Sequence, residues 1–270
     1  MGEEGKGKRE KYNSIPMNLM EAADANFAVH ATWALRSLSG ATVIDTPELV
    51  IADSGLTSDT FNVICRARLS VSRAPSQVAA ALEHFRSTGR PFSWWSGPAD
   101  QPSSLRTFLA EQGLKHLETE LTMSADLRVA PPESPAGGLE IRRVRTAGDL
   151  RALAGIVSQG SEEVARFYLD TSTSLLSRES PQRFYLGYLE GEPVCAAELA
   201  LAAGVAGIYG VVTLERFRRR GFGTAMTRHA MMEARDSGCP TAILQATAAG
   251  AGIYARLGFK AYGEVREFKP

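Results

Sequence analysis

Gly210-Val-Val-Thr-Leu-Glu-Arg-Phe-Arg-Arg-Arg-Gly-Phe-Gly-Thr224 ends an apolar, β-branched run in a basic, glycine-bearing turn and passes at once into a helical pattern. Arg216, Arg218, Arg219 and Arg220 lead into Gly221 and Gly223. Strand, Gly-rich turn and helix start, in that order, suit the holding of an anion. The first N–H groups of a helix lack carbonyl partners and point outward, and the helix dipole favours negative charge there. Glycine lets the backbone come close to a ligand. The turn is neither of the two common phosphate loops. A Walker loop requires a Lys after its second Gly, and none follows here; the dinucleotide fingerprint requires a third Gly where Met226 stands.

The rest of the chain bounds what this turn serves. At 270 residues the chain has room for two domains. Hydrophobic residues at 44%, charged residues at 22% and a formal net charge of zero describe a globular protein with no global pull toward nucleic acid. The 3 cysteines, Cys65, Cys195 and Cys239, have no paired spacing, which fits a reducing compartment. The 4 histidines, His30, His84, His116 and His229, form no ligand cluster, so no metal is expected. No apolar run is long enough for a membrane span, and a cytoplasmic protein without membrane or nucleic-acid partners is expected.

Residues 129–138 carry three prolines and two glycines and read as a linker. It separates residues 16–128 from residues 139–270, with a loose charged tail at 1–15. The N-terminal half reads as a helix from Asn18 to Leu38, strands at Leu49 and Asn62, a helix capped by Ser76 and stopped by Gly89, a strand at Phe92, a short helix after Ser103-Ser104, and a strand alternating through Leu117, Thr119, Leu121 and Met123. The C-terminal half starts with a strand at Leu139. Thr146 and Asp149 form a capping pair, and a second helical stretch carries Val164, Phe167 and Tyr168. Two strands join through Gly191-Glu192, and a third precedes the basic turn. A helix, a strand, a short helix and a final strand close the chain. Leu109-Ala-Glu-Gln-Gly-Leu-Lys in the first half matches Tyr254-Ala-Arg-Leu-Gly-Phe-Lys in the second, so the halves read as a diverged repeat. The first copy lacks the basic turn. Its expected role is structural, or to wall one side of an acceptor cleft around Trp94 and Trp95.

The spacing Arg218-x-x-Gly221-x-Gly223, followed by Leu244-Gln-Ala-Thr-Ala-Ala-Gly-Ala-Gly-Ile-Tyr254-Ala-Arg-Leu-Gly-Phe259, resembles the GNAT superfamily of N-acetyltransferases across residues 139–268. The tandem arrangement covers nearly all of the chain. The resemblance implies an α/β (α+β) fold: two mixed-sheet domains in tandem, each with a mostly antiparallel sheet flanked by helices, the first degenerate. It implies acetyl-CoA as acyl donor; a small-molecule or amino-acid-like primary amine is the expected acceptor. It also implies that the strand at Val211, Val212 and Thr213 splays from its neighbour and binds the pantetheine arm, and that Arg218, Arg219, Arg220, Gly221, Phe222, Gly223 and Thr224 surround the pyrophosphate. Tyr254 matches the family's general acid, and the Val212 N–H is the donor to the thioester oxygen. The acceptor is not implied, since one scaffold serves many amines. An alternative is a non-catalytic acyl-CoA-binding protein that kept the loop. The chain is read as a monomer or homodimer. In one departure from the family, Thr247 is the sole polar residue between Ala246 and Ile253, where an Asn or Ser is frequent.

Acyl transfer requires an amine without its proton. A primary amine of pKa about 10 is only on the order of 0.1% neutral near pH 7, a deficit of roughly 4 kcal/mol. A general base is therefore useful. Glu198 is the candidate, the one charged residue in the run from Val194 to Ala203. A carboxylate in an apolar strand either faces solvent or sits in a desolvated site.

Overall fold

The computed structural model describes residues 19–133 and 137–270. The tail expected over 1–15, the first residue of the first helix and residues 134–136 of the Pro/Gly-rich segment lie outside the described residues.

The first half runs α1 (Leu19–Thr32), β1 (Thr42–Asp45), β2 (Val50–Asp53), β3 (Val63–Cys65), α2 (Ala74–Thr88), β4 (Ser93–Ser96), α3 (Leu105–Glu111) and β5 (Lys115–Asp126). The second runs β6 (Leu139–Arg143), α4 (Ala147–Val157), α5 (Glu162–Asp170), α6 (Ser172–Leu175), β7 (Gln182–Leu189), β8 (Glu192–Ala202), β9 (Val205–Thr213), α7 (Phe222–Asp236), β10 (Thr241–Ala246), α8 (Ala248–Arg256) and β11 (Lys260–Lys269).

Local chemistry explains most boundaries. Thr146 and Asp149 form a reciprocal capping box at α4: the Asp149 N–H donates to Thr146 Oγ1 at 3.1 Å, and the Thr146 N–H donates to Asp149 Oδ2 at 3.0 Å. Ser161 caps α5 through the Val164 N–H. Gly89 ends α2 in the left-handed region at φ 65°. Ser76 is not the cap expected of it. The helix begins two residues earlier, with Pro75 in its first turn, because proline presets helical φ and its missing N–H costs nothing there. The Ser76 hydroxyl instead donates back to the Arg73 carbonyl at 2.9 Å. The β7–β8 turn sits at Glu190-Gly191, with φ of 50° and 85°, one residue before the expected Gly191-Glu192.

The strands form a single sheet in the order β1-β2-β3-β4-β11-β5-β10-β9-β8-β7-β6. The pairs β3–β4 and β9–β10 are parallel; the other neighbours are antiparallel. Each half contributes a strand, helix and parallel strand, then a short helix and a closing strand. The closing strands are exchanged. β5 of the first half lies between β10 and β11, and β11 of the second lies between β4 and β5. The two halves are therefore joined through the middle of the sheet.

Side chains alternate across β8, so its two faces belong to different layers. Cys195, Ala197 and Leu199 pack with Phe222, Met226 and Ala230 of α7. Ala196 packs in the opposite layer with Ala28 of α1 and Leu150 and Leu153 of α4. Glu198 has the parity of Ala196 and faces that second layer, where a helix of the first half covers strands of the second. Among the described residues no helix is long and apolar enough to cross a membrane.

Candidate active site

The basic turn is built to leave backbone donors free. A 3-10 turn at Glu215–Phe217 follows β9, and Gly221 caps α7 with φ 81°. Arg219 is also left-handed, at φ 62°. Left-handed residues alternating with others turn successive N–H groups toward one concave side, which attracts anions. Among the described residues, no backbone carbonyl accepts from the N–H groups of residues 219–224; the first helical bond runs from Ala225 to Gly221. Arg216 is tied to Glu192 and lies over the Phe217 ring at 4.9 Å. Arg218 donates from Nε to the Thr213 carbonyl at 3.2 Å, bracing the turn against the strand end. Arg218, Arg219 and Arg220 have no carboxylate partner among the described residues, and all three are exposed. The Phe222 side chain is buried in the α7 core, so this residue offers the site only its backbone. Gly223 and Thr224 complete the first turn of the helix, and Gly223 lies close to Val211 and Thr213.

The strand before the turn is splayed. β9 and β10 pair only at Ala206–Ala242 and Gly207–Ile243, and from there to the basic turn they no longer bond. The register with β8 also slips. Tyr209 faces Glu198 and Val212 faces Ala196, so Gly210 and Val211 together oppose Ala197. Gly210 takes φ 54° in this bulge. A bulge re-aims the residues after it, here Val211, Val212 and Thr213, beside the cleft between the two strands.

Glu198 is 5% exposed. Its Oε1 accepts from His30 Nδ1 and from Gln182 Nε2, each at 2.8 Å. Among the described residues no donor reaches Oε2. His30 lies on α1 and stacks on the Tyr209 ring at 4.1 Å and 12°. The Tyr209 hydroxyl donates to Asn26 Oδ1 at 2.9 Å, and Asn26 Nδ2 reaches the carbonyls of Ala200, Ala202 and Val205, each at 3.0 Å. Asn26 thus fastens α1 to the β8–β9 hairpin and sets His30 against the carboxylate. Burial, and then the Glu198 charge, push the Tyr209 phenol well above its ordinary value, which keeps it a donor.

Glu198 opens onto a cavity of about 320 Å³ between the two halves. Val212 and Gln245 line it where β9 and β10 part, so it meets the cleft that leads to the basic turn. Trp95 also lines it, while Trp94 is fully buried in the first half's own core. Of the two tryptophans expected around an acceptor cleft, Trp95 thus lines the cavity and Trp94 does not, because adjacent residues on a strand point to opposite faces.

Tyr254 is half-buried on α8, 6.1 Å from the Phe259 ring, and does not line this cavity. Burial, and then the charge of Glu120, raise its phenol above the ordinary value. Thr247 caps α8 through the Gly250 N–H, which accounts for the lone polar residue there. His30 and Gln182 were not among the expected site residues. His30 is 168 positions from its partner and Gln182 16 positions, and neither stands in a motif.

Residues 150–259 match the model of the Acetyltransferase (GNAT) family. No curated protein matches the chain in sequence. Solved structures share its fold. A GCN5-related N-acetyltransferase from Kribbella flavida aligns with a TM-score of 0.71 at 20% identity, covering 94% of this chain and 96% of that one. A GCN5-related N-acetyltransferase from Sphaerobacter thermophilus aligns at 0.61 and 16% identity, covering 92% and 93%. A tandem GNAT protein from the clavulanic acid biosynthesis pathway aligns at 0.59 and 14% identity, covering 82% and 78%. The free-donor turn and the splayed strand lie inside the matched segment, and the surrounding sheet is that of these proteins. The chain therefore carries a GNAT acetyltransferase-family domain, set in a fold of the tandem GNAT type.

Proposed function

We propose that this chain transfers an acetyl group from acetyl-CoA to the primary amine of a small molecule. The observation that carries the reading is Glu198: a buried carboxylate, oriented by residues from both halves, with one oxygen free in a cavity that meets the cleft behind an anion-binding turn. Residues 139–270 supply the donor site and the base, and residues 16–128 supply the opposite wall.

The residues present fit such a donor. The N–H groups of residues 219–224 and the guanidinium groups of Arg218, Arg219 and Arg220, which have no carboxylate partner among the described residues, offer donors and positive charge for a pyrophosphate. The unpaired edge of β9 at Val211, Val212 and Thr213 suits an arm carrying amide groups. When bound, the cofactor supplies an activated acyl carbon and a thiol leaving group.

Glu198 takes the amine proton through Oε2, directly or through one water, while Oε1 stays held by His30 and Gln182. The amine nitrogen then bonds to the acyl carbon, and the carbon–sulfur bond breaks. The Leu214 N–H donates to the Val194 carbonyl, so ladder alternation turns the Val212 N–H toward Ala196. The Val211 and Thr213 N–H groups face the cleft, and one of them polarises the acyl oxygen as charge builds there, in place of the expected Val212. Tyr254 gives its phenolic proton to the departing sulfur. A phenol of ordinary pKa, about 10, is already protonated near neutrality, as an acid must be, and burial raises this one further. An ammonium acceptor gives up two protons on the way to an amide. Glu198 passes the first to solvent and takes the second as the nitrogen bonds to the acyl carbon. That second proton restores the phenol through solvent, so the cycle closes with one proton released.

Coenzyme A thiol release in the presence of amines tests this reading. Glu198→Gln keeps the shape and the hydrogen bonds to His30 and Gln182 but removes the base. It should slow thiol release by about a hundredfold or more near pH 7 while leaving stabilisation by acetyl-CoA intact. A Gln variant as fast as wild type would remove Glu198 from the mechanism.

A further inference from the structure

The walls of the cavity in front of Glu198 are aromatic. Phe61 of the first half stacks on Phe167 of the second at 3.7 Å and 17°, and Tyr168 stands edge-on to Phe61 at 6.2 Å. Phe27 and Trp95 close the other side. Among the described residues no Lys, Arg or Asp lines the space; its acid and base are Glu198 and His30, already bonded to each other. A carboxylate or phosphate entering here would meet the Glu198 charge with no free cation to offset it.

Gln182 adds a polar instruction. Its Nε2 donates to Glu198 Oε1 at 2.8 Å and to the His30 carbonyl at 3.2 Å. Both partners are acceptors, so the amide has one tolerable orientation. Among the described residues its Oε1 has no hydrogen-bond partner, and it is buried on a side chain 5% exposed that lines the cavity. A buried amide oxygen in that state calls for a donor. The size is also informative. A cavity of about 150 Å³ takes up a benzene molecule, so 320 Å³ holds one ring system with a short chain.

We infer, on the basis of the acetyl-transfer reading, that the acceptor is an arylalkylamine without an anionic substituent. Its ring lies among Phe27, Phe61, Trp95 and Tyr168, and its ammonium group sits at Glu198 with one N–H donated to Gln182 Oε1. Gln182 is then a specificity residue that sequence reading does not single out.

Calorimetric titration of the whole chain with 2-phenylethylamine and tryptamine, beside phenylalanine, tryptophan and spermidine, tests this. The two arylalkylamines should bind roughly tenfold or more tighter than the amino acids and the polyamine. Gln182→Met, which conserves volume, should weaken them about tenfold. Equal or tighter binding of phenylalanine or spermidine overturns the inference, as does absence of binding by both arylalkylamines. Thiol release measured in parallel keeps the two readings separate. Arylalkylamines that bind without releasing thiol defeat the transfer reading and uphold the cavity assignment. Thiol release with spermidine alone upholds transfer and defeats the cavity assignment.

Discussion

The two strand–turn–helix units of this chain share a plan and differ in what they do with it. In each, a strand leads through a turn into a helix and back to a parallel strand, β3-α2-β4 and β9-α7-β10. In the first unit the strands stay joined past the parallel pair. The Leu69 N–H donates to the Gln101 carbonyl at 3.0 Å, and the Gln101 N–H to the Ala67 carbonyl at 2.9 Å. Arg68 clamps this closure between Asp24 at 2.9 Å and Asp100 at 3.3 Å. At the helix start the Ala74 N–H is spent on the Ser70 carbonyl, and Pro75 has none to offer. In the second unit the strands part and the turn keeps its donors. The capacity of a turn to hold an anion thus depends on which backbone groups are left unpaired, and a related turn lacks it when its own chain satisfies them.

Breaking the clamp should have the largest effect on stability. Arg68→Met leaves Asp24 and Asp100 facing each other in a largely buried site. The loss should be about 3 kcal/mol, read as a lower urea midpoint, with stabilisation by acetyl-CoA unchanged. An unaltered midpoint would mean the closure does not depend on the clamp. Next in size is the open turn itself. Gly221→Asp puts a side chain at φ 81° and a negative charge beside the free donors. It should abolish the stabilisation by acetyl-CoA, about 2.7 kcal/mol at about 100 times the dissociation constant. Ser72→Asp, in the closed turn, should leave that shift intact; if both variants lose it, the difference between the turns is not what governs binding.

Helix starts sharpen the contrast further. Thr146→Ala removes a working cap and should cost about 1 kcal/mol, whereas Ser76→Ala should stay within about 0.5 kcal/mol. Thermal unfolding distinguishes these. A last contrast concerns pH. Burial raises both Asp24 and Asp100, and the neighbouring Asp24 charge helps lift Asp100 to about 7. Between about pH 4 and that value the native state retains protons that the unfolded chain has released. This contribution to stability is therefore full at low pH and lost as pH rises through the window. Asp24→Asn removes one charge and should flatten the slope; a slope equal to wild type would assign it to other groups.

The elements were legible wherever their signals were local. Alternation identified β5, the Gly191-Glu192 turn between two apolar runs identified β7 and β8, the Thr146–Asp149 pair marked the start of α4, and Gly89 marked the end of α2. Ser76 misled because a proline one residue earlier provides a stronger start than a hydroxyl. The exchange of β5 and β11 was not legible. Period-2 alternation says which face of a strand is buried and is silent about which strand lies beside it. Glu198 was marked by its isolation in an apolar run, yet alternation left open whether it met solvent or another layer.

The sequence by itself determined the strand–turn–helix with its free-donor glycines, because that chemistry is contiguous and uses the backbone. It also determined the internal repeat, through the matched Leu109 and Tyr254 segments. Only the tertiary structure decided that β5 and β11 change places, that α1 covers β8, and that His30 and Gln182 converge on Glu198. Those outcomes rest on burial and hydrogen bonding between segments far apart in the chain, where each partner's local pattern is compatible with many others. The aromatic cavity arises the same way, from two half-walls that become a site only when the halves share one sheet.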